Sequence, residues 1–202
     1  MSDCGCHVEA NNKQERKTLW ILLVINASLF VLEVITGVLA ESTALIADSL
    51  DMLADMIVYA LSLYAVGKSR QHKNRAASLS GIFQITLAVL VLVDVMQRFI
   101  TGSSPESGWM MGIAGLALLG NSFCLYLVSK HRQGEIHMRA SWIFTQNDVI
   151  ANVGVIIAGL LVAVLDSRFP DLIVGFMISL LVLRGGVNIW REARLDVGNR
   201  GN

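Results

Sequence analysis

The chain has 202 residues, of which 54% are hydrophobic and 16% charged, and its basic and acidic side chains balance to a formal net charge of zero. That balance excludes a strongly basic nucleic-acid binder, and charges gathered between long apolar stretches point to a membrane protein. No glycine-rich phosphate loop, nucleophile–base spacing or haem-ligand pair is present, which argues against an enzyme.

Residues 1–18 (MSDCGCHVEANNKQERKT) are polar and lack the short apolar core of a cleaved signal peptide, so they are expected to remain as a cytoplasmic tail. Within this tail Cys4, Cys6 and His7 offer two thiols and an imidazole close together. In a reducing compartment these groups either capture Zn²⁺ or Cd²⁺ once deprotonated or belong to an unstructured segment. A bilayer core takes about 20 apolar residues per helix. Six segments fit, at 19–40, 43–66, 78–100, 108–130, 141–166 and 171–192. The expected fold is therefore an all-α, polytopic domain of six transmembrane helices over 19–192, followed by a short cytoplasmic tail at 193–202. Only Glu41 and Ser42 separate the first two helices and only Ser167 to Pro170 the last two, so both pairs are expected to be antiparallel hairpins. Ser103, Ser104 and Pro105 break the chain between the third and fourth helices.

Basic residues set the orientation. Lys13, Arg16, Lys17, Lys68, Arg70, Lys73, Arg75, Lys130, Arg132, Arg139, Arg191, Arg194 and Arg200 fall on one side, 13 of the 16 in the chain. That side is expected to be cytoplasmic and to carry both termini. Arg98 and Arg168 fall near the opposite face, and Arg184 lies within the last helix.

The second helix carries Asp48, Asp51 and Asp55 inside an apolar run. A carboxylate at bilayer depth is expensive and faces a cavity, a partner or an ion path. At about 1.5 Å per residue, Asp51 and Asp55 lie roughly 12 and 18 Å below the outer hydrocarbon edge, and on the fifth helix Asn152 and Asp148 lie roughly 13 and 19 Å below it. Asp51 and Asp55, four apart, share a helix face, and Asp148 can close the site from the fifth helix. Three such anions repel one another in a low-dielectric region, so protons or a cation must neutralise them. Competition between a divalent metal and protons for the same oxygens is an exchange mechanism. Elsewhere, Asp94 and Arg98 are expected to form an ion pair, and Asn26, Gln84 and Asn121 to bond between helices. Glu33 either lines an outer vestibule or bonds a neighbour, and Cys124 is expected to pack.

The segments Phe30-Val-Leu-Glu33-Val-Ile-Thr-Gly37, Ser42-Thr-Ala-Leu-Ile-Ala-Asp48-Ser-Leu-Asp51-Met-Leu-Ala-Asp55 and Gln146-Asn-Asp148-Val-Ile-Ala-Asn152 resemble the cation diffusion facilitators, a family of metal–proton antiporters. The resemblance implies a cation-efflux transmembrane-domain-like bundle and a homodimer. It also implies a transport site between the second and fifth helices, with Asp51 and Asp55 as two of four ligands and Asp148 as a third. The family's fourth ligand is usually a histidine four residues before the fifth-helix aspartate, and here that position is Phe144. Water, Asn147, Asn152 or Asp48 would then complete the shell, and proton coupling would fall to the aspartates. An all-oxygen shell suits Mn²⁺ or Fe²⁺, while zinc also accepts carboxylates. Family members usually carry a soluble domain after the sixth helix, and this sequence ends about ten residues past Trp190, so dimerisation is expected to run through the membrane helices, with Gly185 and Gly186 allowing close approach.

The expected function is efflux of a divalent transition metal, Zn²⁺ or Cd²⁺, from the cytoplasm in exchange for protons, across a bacterial inner membrane. The metal is substrate, and no cofactor is expected. The alternatives are Mn²⁺ or Fe²⁺ efflux by the same route, a proton or cation channel, and a metal-stabilised assembly subunit without transport.

Overall fold

In hydrocarbon every backbone N–H and C=O must find a partner within its own segment, and the apolar stretches accordingly form helices. Their order is α1 (Cys4–Leu39), α2 (Thr43–Ala65), α3 (Arg70–Thr101), α4 (Ser107–Ser129), α5 (Ile136–Leu165) and α6 (Phe169–Gly198). This computed structural model describes the backbone of residues 4–65, 70–130 and 136–198, with the side chains of 4–13, 62, 65, 70–77, 80, 136–141, 143, 144 and 192–198 outside the description. Five of the helices are long and apolar enough to cross a membrane. The sixth, α2, has 23 residues, a length of roughly 35 Å, and departs from apolarity mainly at its three aspartates.

Helix ends near the short turns fall where the hydropathy places them, while four of those on the basic side run further. α1 begins at Cys4, α3 at Arg70 and α5 at Ile136, and α6 continues to Gly198. The polar segment from Cys4 is thus helical and continuous with α1. Hydropathy marks the depth of the hydrocarbon, whereas Lys, Arg, Gln and Glu are good helix formers that carry a helix beyond it.

The usual arrangement of polar and apolar groups is inverted. Leu39, Ile100, Leu119 and Val164 are exposed, whereas Glu33, Asp48, Asp55, Asp148 and Asp171 are buried. An apolar exterior suits lipid, and the polar groups find one another inside. α2 stands at the centre, packed against α1, α3, α5 and α6, and α4 closes on α1 and α5.

The α1–α2 turn is tightly held. Glu41 has φ 50°, a left-handed conformation that costs a non-glycine residue roughly 1 kcal/mol. Four contacts fix it in place: Ser42 N donates to Gly37 O at 2.9 Å, Glu106 N to Ala40 O at 3.0 Å, Ser104 N to the Glu41 carboxylate at 3.1 Å, and Arg98 to Glu41 O. Arg98 also pairs with Asp94 at 2.7 Å, as its spacing predicts.

α3 and α6 meet at glycines. A Cβ on Gly81 would lie 2.9 Å from both Gly186 O and Trp190 N, and one on Gly186 would lie 3.1 Å from Gly81 O. This corrects the sequence reading of Gly185 and Gly186 as a dimer surface: Gly186 is taken up within the subunit, and Gly185 faces Gln84 of α3. Small residues let two backbones approach, whichever chain supplies the second helix.

Candidate metal centre

α2 owes its position to α6. Its first N–H groups have no partner within the helix, and Asp171 supplies one: its carboxylate accepts from Thr43 N at 2.8 Å, Ala44 N at 3.0 Å and the Ser42 hydroxyl at 2.6 Å. Ser42 Oγ in turn accepts from Leu45 N at 3.2 Å, a normal N-cap bond. An anion at this end also meets the positive end of the helix dipole. One turn along α6, Gly175 leaves room for the approach, since a Cβ there would lie 2.9 Å from both the carbonyl carbon and Cγ2 of Thr43.

From that fixed end α2 delivers its aspartates to α5. One carboxylate oxygen from each of Asp51, Asp55 and Asp148 lies within 4.8 Å of the other two. Asp55 and Asp148 are buried and Asp51 is half-buried. Neither oxygen of Asp148 has a hydrogen-bond partner, and among the described residues no basic side chain pairs with any of the three. A tetrahedral ion with bonds of 2.0–2.1 Å needs oxygens roughly 3.4 Å apart, which small rotamer changes would achieve. The donor set is all oxygen and carries three formal negative charges, a demand that a divalent ion or protons can meet.

Hydrogen bonds between α2 and α5 bracket the triad. On the basic side, the Tyr59 hydroxyl donates to Asp55 Oδ2 at 2.6 Å and lies 2.9 Å from Thr145 Oγ1, all three groups being buried. On the other side, Asn152 Nδ2 donates to Asp48 Oδ2 at 2.6 Å, and Asn121 Nδ2 of α4 donates to Asn152 Oδ1 at 3.0 Å.

The residues singled out from sequence therefore separate. Asp51, Asp55 and Asp148 come together. Asp48 and Asn152 bond to each other, one turn away. Asn147 is exposed, because one residue along α5 turns it about 100° from Asp148. Cys4, Cys6, His7 and Phe144 have side chains outside the described residues. Asn121 bonds between helices as expected, whereas Asn26 bonds within its own helix, to Leu22 O at 3.0 Å. Cys124 packs with Leu19, Leu22, Tyr59 and Val128. Sequence reasoning passed over Tyr59, Thr145 and Asp171. The spacing of Tyr59, four after Asp55, was a usable signal, but nothing local joins Asp171 to a helix that begins 128 residues earlier.

Residues 19–196 match the family model of the cation efflux transmembrane domain. The chain is similar to the zinc transporter ZitB of Escherichia coli (strain K12), 29% identical over 205 residues, covering 95% of this chain and 65% of that protein. It is also similar to the cadmium, cobalt and zinc/H(+)-K(+) antiporter of Bacillus subtilis (strain 168), 23% identical over 201 residues, covering 93% of this chain and 64% of the relative. A third relative is the metal cation efflux system protein CzcD of Cupriavidus metallidurans, 23% identical over 179 residues, covering 83% and 57%. The chain spans less than two thirds of the length of these relatives. With its six helices, its apolar exterior and a family model matched over nearly its whole length, this chain belongs to the cation efflux transmembrane domain family, that of the cation diffusion facilitators.

Proposed function

We propose that this protein exports a divalent transition metal from the cytoplasm in exchange for protons, with the ion held by Asp51, Asp55 and Asp148. The observation that carries the reading is the meeting of three carboxylates from α2 and α5, with an oxygen of each within 4.8 Å of the others, in the interior of a membrane bundle. The printed names of the relatives, zinc transporter and cadmium, cobalt and zinc antiporter, support Zn²⁺ and Cd²⁺ as substrates. The all-oxygen donor set supports Mn²⁺ or Fe²⁺ as a second reading.

Exchange follows from competition at the same oxygens. Lowering the pH on the receiving side protonates the carboxylates and releases metal, and raising it on the loading side favours binding, so metal moves out as protons move in, the two travelling in opposite directions. For access to alternate, the Tyr59–Thr145 contact on the basic side and the Asp48–Asn152 bond on the other must open in turn, since each ties α2 to α5 across the route to the triad. The basic residues support a cytoplasmic location for both termini in a bacterial inner membrane. The working unit is proposed to be a homodimer.

Purified protein in proteoliposomes tests the reading. Asp51→Asn and Asp55→Asn should each reduce Zn²⁺/H⁺ exchange at least 100-fold while leaving expression intact, and full exchange by both variants would refute the assignment. Wild-type flux should rise with an inward proton gradient and collapse when a protonophore removes it. Flux indifferent to that gradient would exclude proton exchange.

A further inference from the structure

Asp55 and Asp148 do not offer their oxygens equally. Both oxygens of Asp148 are buried without a hydrogen-bond partner, whereas Asp55 Oδ2 already accepts from the Tyr59 hydroxyl at 2.6 Å. A bond of that length is expected where an O–H donates to an ionised carboxylate. A phenol has one proton, and Tyr59 gives it to Asp55, so at the 2.9 Å contact with Thr145 Oγ1 the threonine donates and Tyr59 accepts. Thr145 of α5 and Tyr59 and Asp55 of α2 thus form one directed chain of hydrogen bonds that ends on a carboxylate of the triad. Each bond polarises the next.

Packing holds the phenol in place. Tyr59 is 0% exposed, and it packs with Leu19 and Leu22 of α1 and with Cys124 and Val128 of α4. Thr145 is also fully buried, so breaking the chain would strand hydroxyls in the interior. An ion that draws on Asp55 Oδ2 must therefore share that oxygen with Tyr59, while both oxygens of Asp148 are free for it. The consequence differs from ion to ion. Zn²⁺ is satisfied by four ligands, which one oxygen from each aspartate and a water would supply. Mn²⁺ favours six oxygens, a demand that calls on the second oxygen of the carboxylates.

We infer that Tyr59, backed by Thr145, is a positioning residue that sets the ion preference of the triad: it holds Asp55 to coordination through one oxygen and so favours Zn²⁺ over Mn²⁺. The inference rests on the proposed binding of the ion by Asp51, Asp55 and Asp148, and it decides between the two substrate readings given for that site.

Calorimetric titration of the purified full-length chain with Zn²⁺ and with Mn²⁺ tests it. Tyr59→Phe keeps the ring and removes the donor, and it should tighten Mn²⁺ binding about tenfold while leaving Zn²⁺ binding nearly unchanged. The visible absorption of bound Co²⁺, intense in a tetrahedral site and weak in an octahedral one, should fall in the same variant, which a loss of packing alone would not produce. Thr145→Val weakens the chain from its far end and should move the Zn²⁺/Mn²⁺ preference in the same direction by a smaller factor. It serves where Tyr59→Phe does not elute as a folded species. An equal change for both ions, or no change, in a folded variant overturns the inference. Asp55→Asn separates this outcome from failure of the site itself. If Asp55→Asn binds both ions as the wild type does, the triad is not the site and the role of Tyr59 falls with it. If Asp55→Asn loses both ions while Tyr59→Phe leaves their ratio unmoved, the triad stands and only the role of Tyr59 is lost.

Discussion

Two helix pairs cross in this bundle by opposite means. α3 and α6 approach through Gly81 and Gly186, backbone against backbone, whereas α2 and α5 meet through carboxylates, a phenol and amides. In lipid there is no hydrophobic drive to bring apolar helices together, so close van der Waals contact is what makes a lasting pair. Polar bridges between α2 and α5 are worth less individually and can be exchanged for contacts with an ion or with water. The glycine seam is suited to stay closed while the acidic seam changes partners.

The largest effect should come from the glycine seam. Gly81→Leu would drive a side chain into the α6 backbone, where even a Cβ lies at 2.9 Å, and overpacking of this kind costs about 1–3 kcal/mol or more. Thermal unfolding in detergent should shift sharply downward, with metal exchange lost along with folded protein. A stable, active Gly81→Leu protein would dissolve the contrast between the two seams. A smaller and more selective effect is expected from Tyr59→Phe, which removes the hydroxyl between Asp55 and Thr145 without changing the ring. A buried hydrogen bond of this kind is worth about 1 kcal/mol, so stability should change little while the exchange rate changes about tenfold. Unaltered kinetics in proteoliposomes would show that this bridge is packing alone. The smallest effect on function should follow Asp171→Asn, which keeps one acceptor oxygen for the start of α2 but removes the charge and the second acceptor. The expected loss is about 1–2 kcal/mol, read by thermal unfolding, with Mn²⁺ stoichiometry unchanged. A change in stoichiometry would mean that the cap, and not α5, decides where Asp51 and Asp55 stand.

Much of the acidic seam was legible in advance because rise per residue and charge placement are one-dimensional quantities. Counting 1.5 Å per residue from the short turns brings Asp55 level with Asp148 and Asp51 with Asn152, and the structure joins Asp51 and Asp55 to Asp148. Depth says nothing of rotation, however, and it is rotation that places Asn152 on Asp48 and turns Asn147 outward. The glycine seam was misassigned for a related reason: a small residue announces close approach without naming the partner, and Gly186 met α3 of its own chain. Four helix ends on the basic side, the starts of α1, α3 and α5 and the end of α6, extend past the expected spans, because hydropathy stops where water begins, and these helices do not.

By itself, then, the order of residues determined that the chain is helical and lipid-facing, where its spans lie, and that acidic groups gather at a common depth, since composition and axial rise suffice for each. Only the packed bundle decided which acidic groups share a centre, that Tyr59 and Thr145 border it, and that Asp171 caps the helix carrying most of it. Those contacts join residues far apart in the chain, and their directions depend on how each helix is rotated about its axis, which no local pattern records.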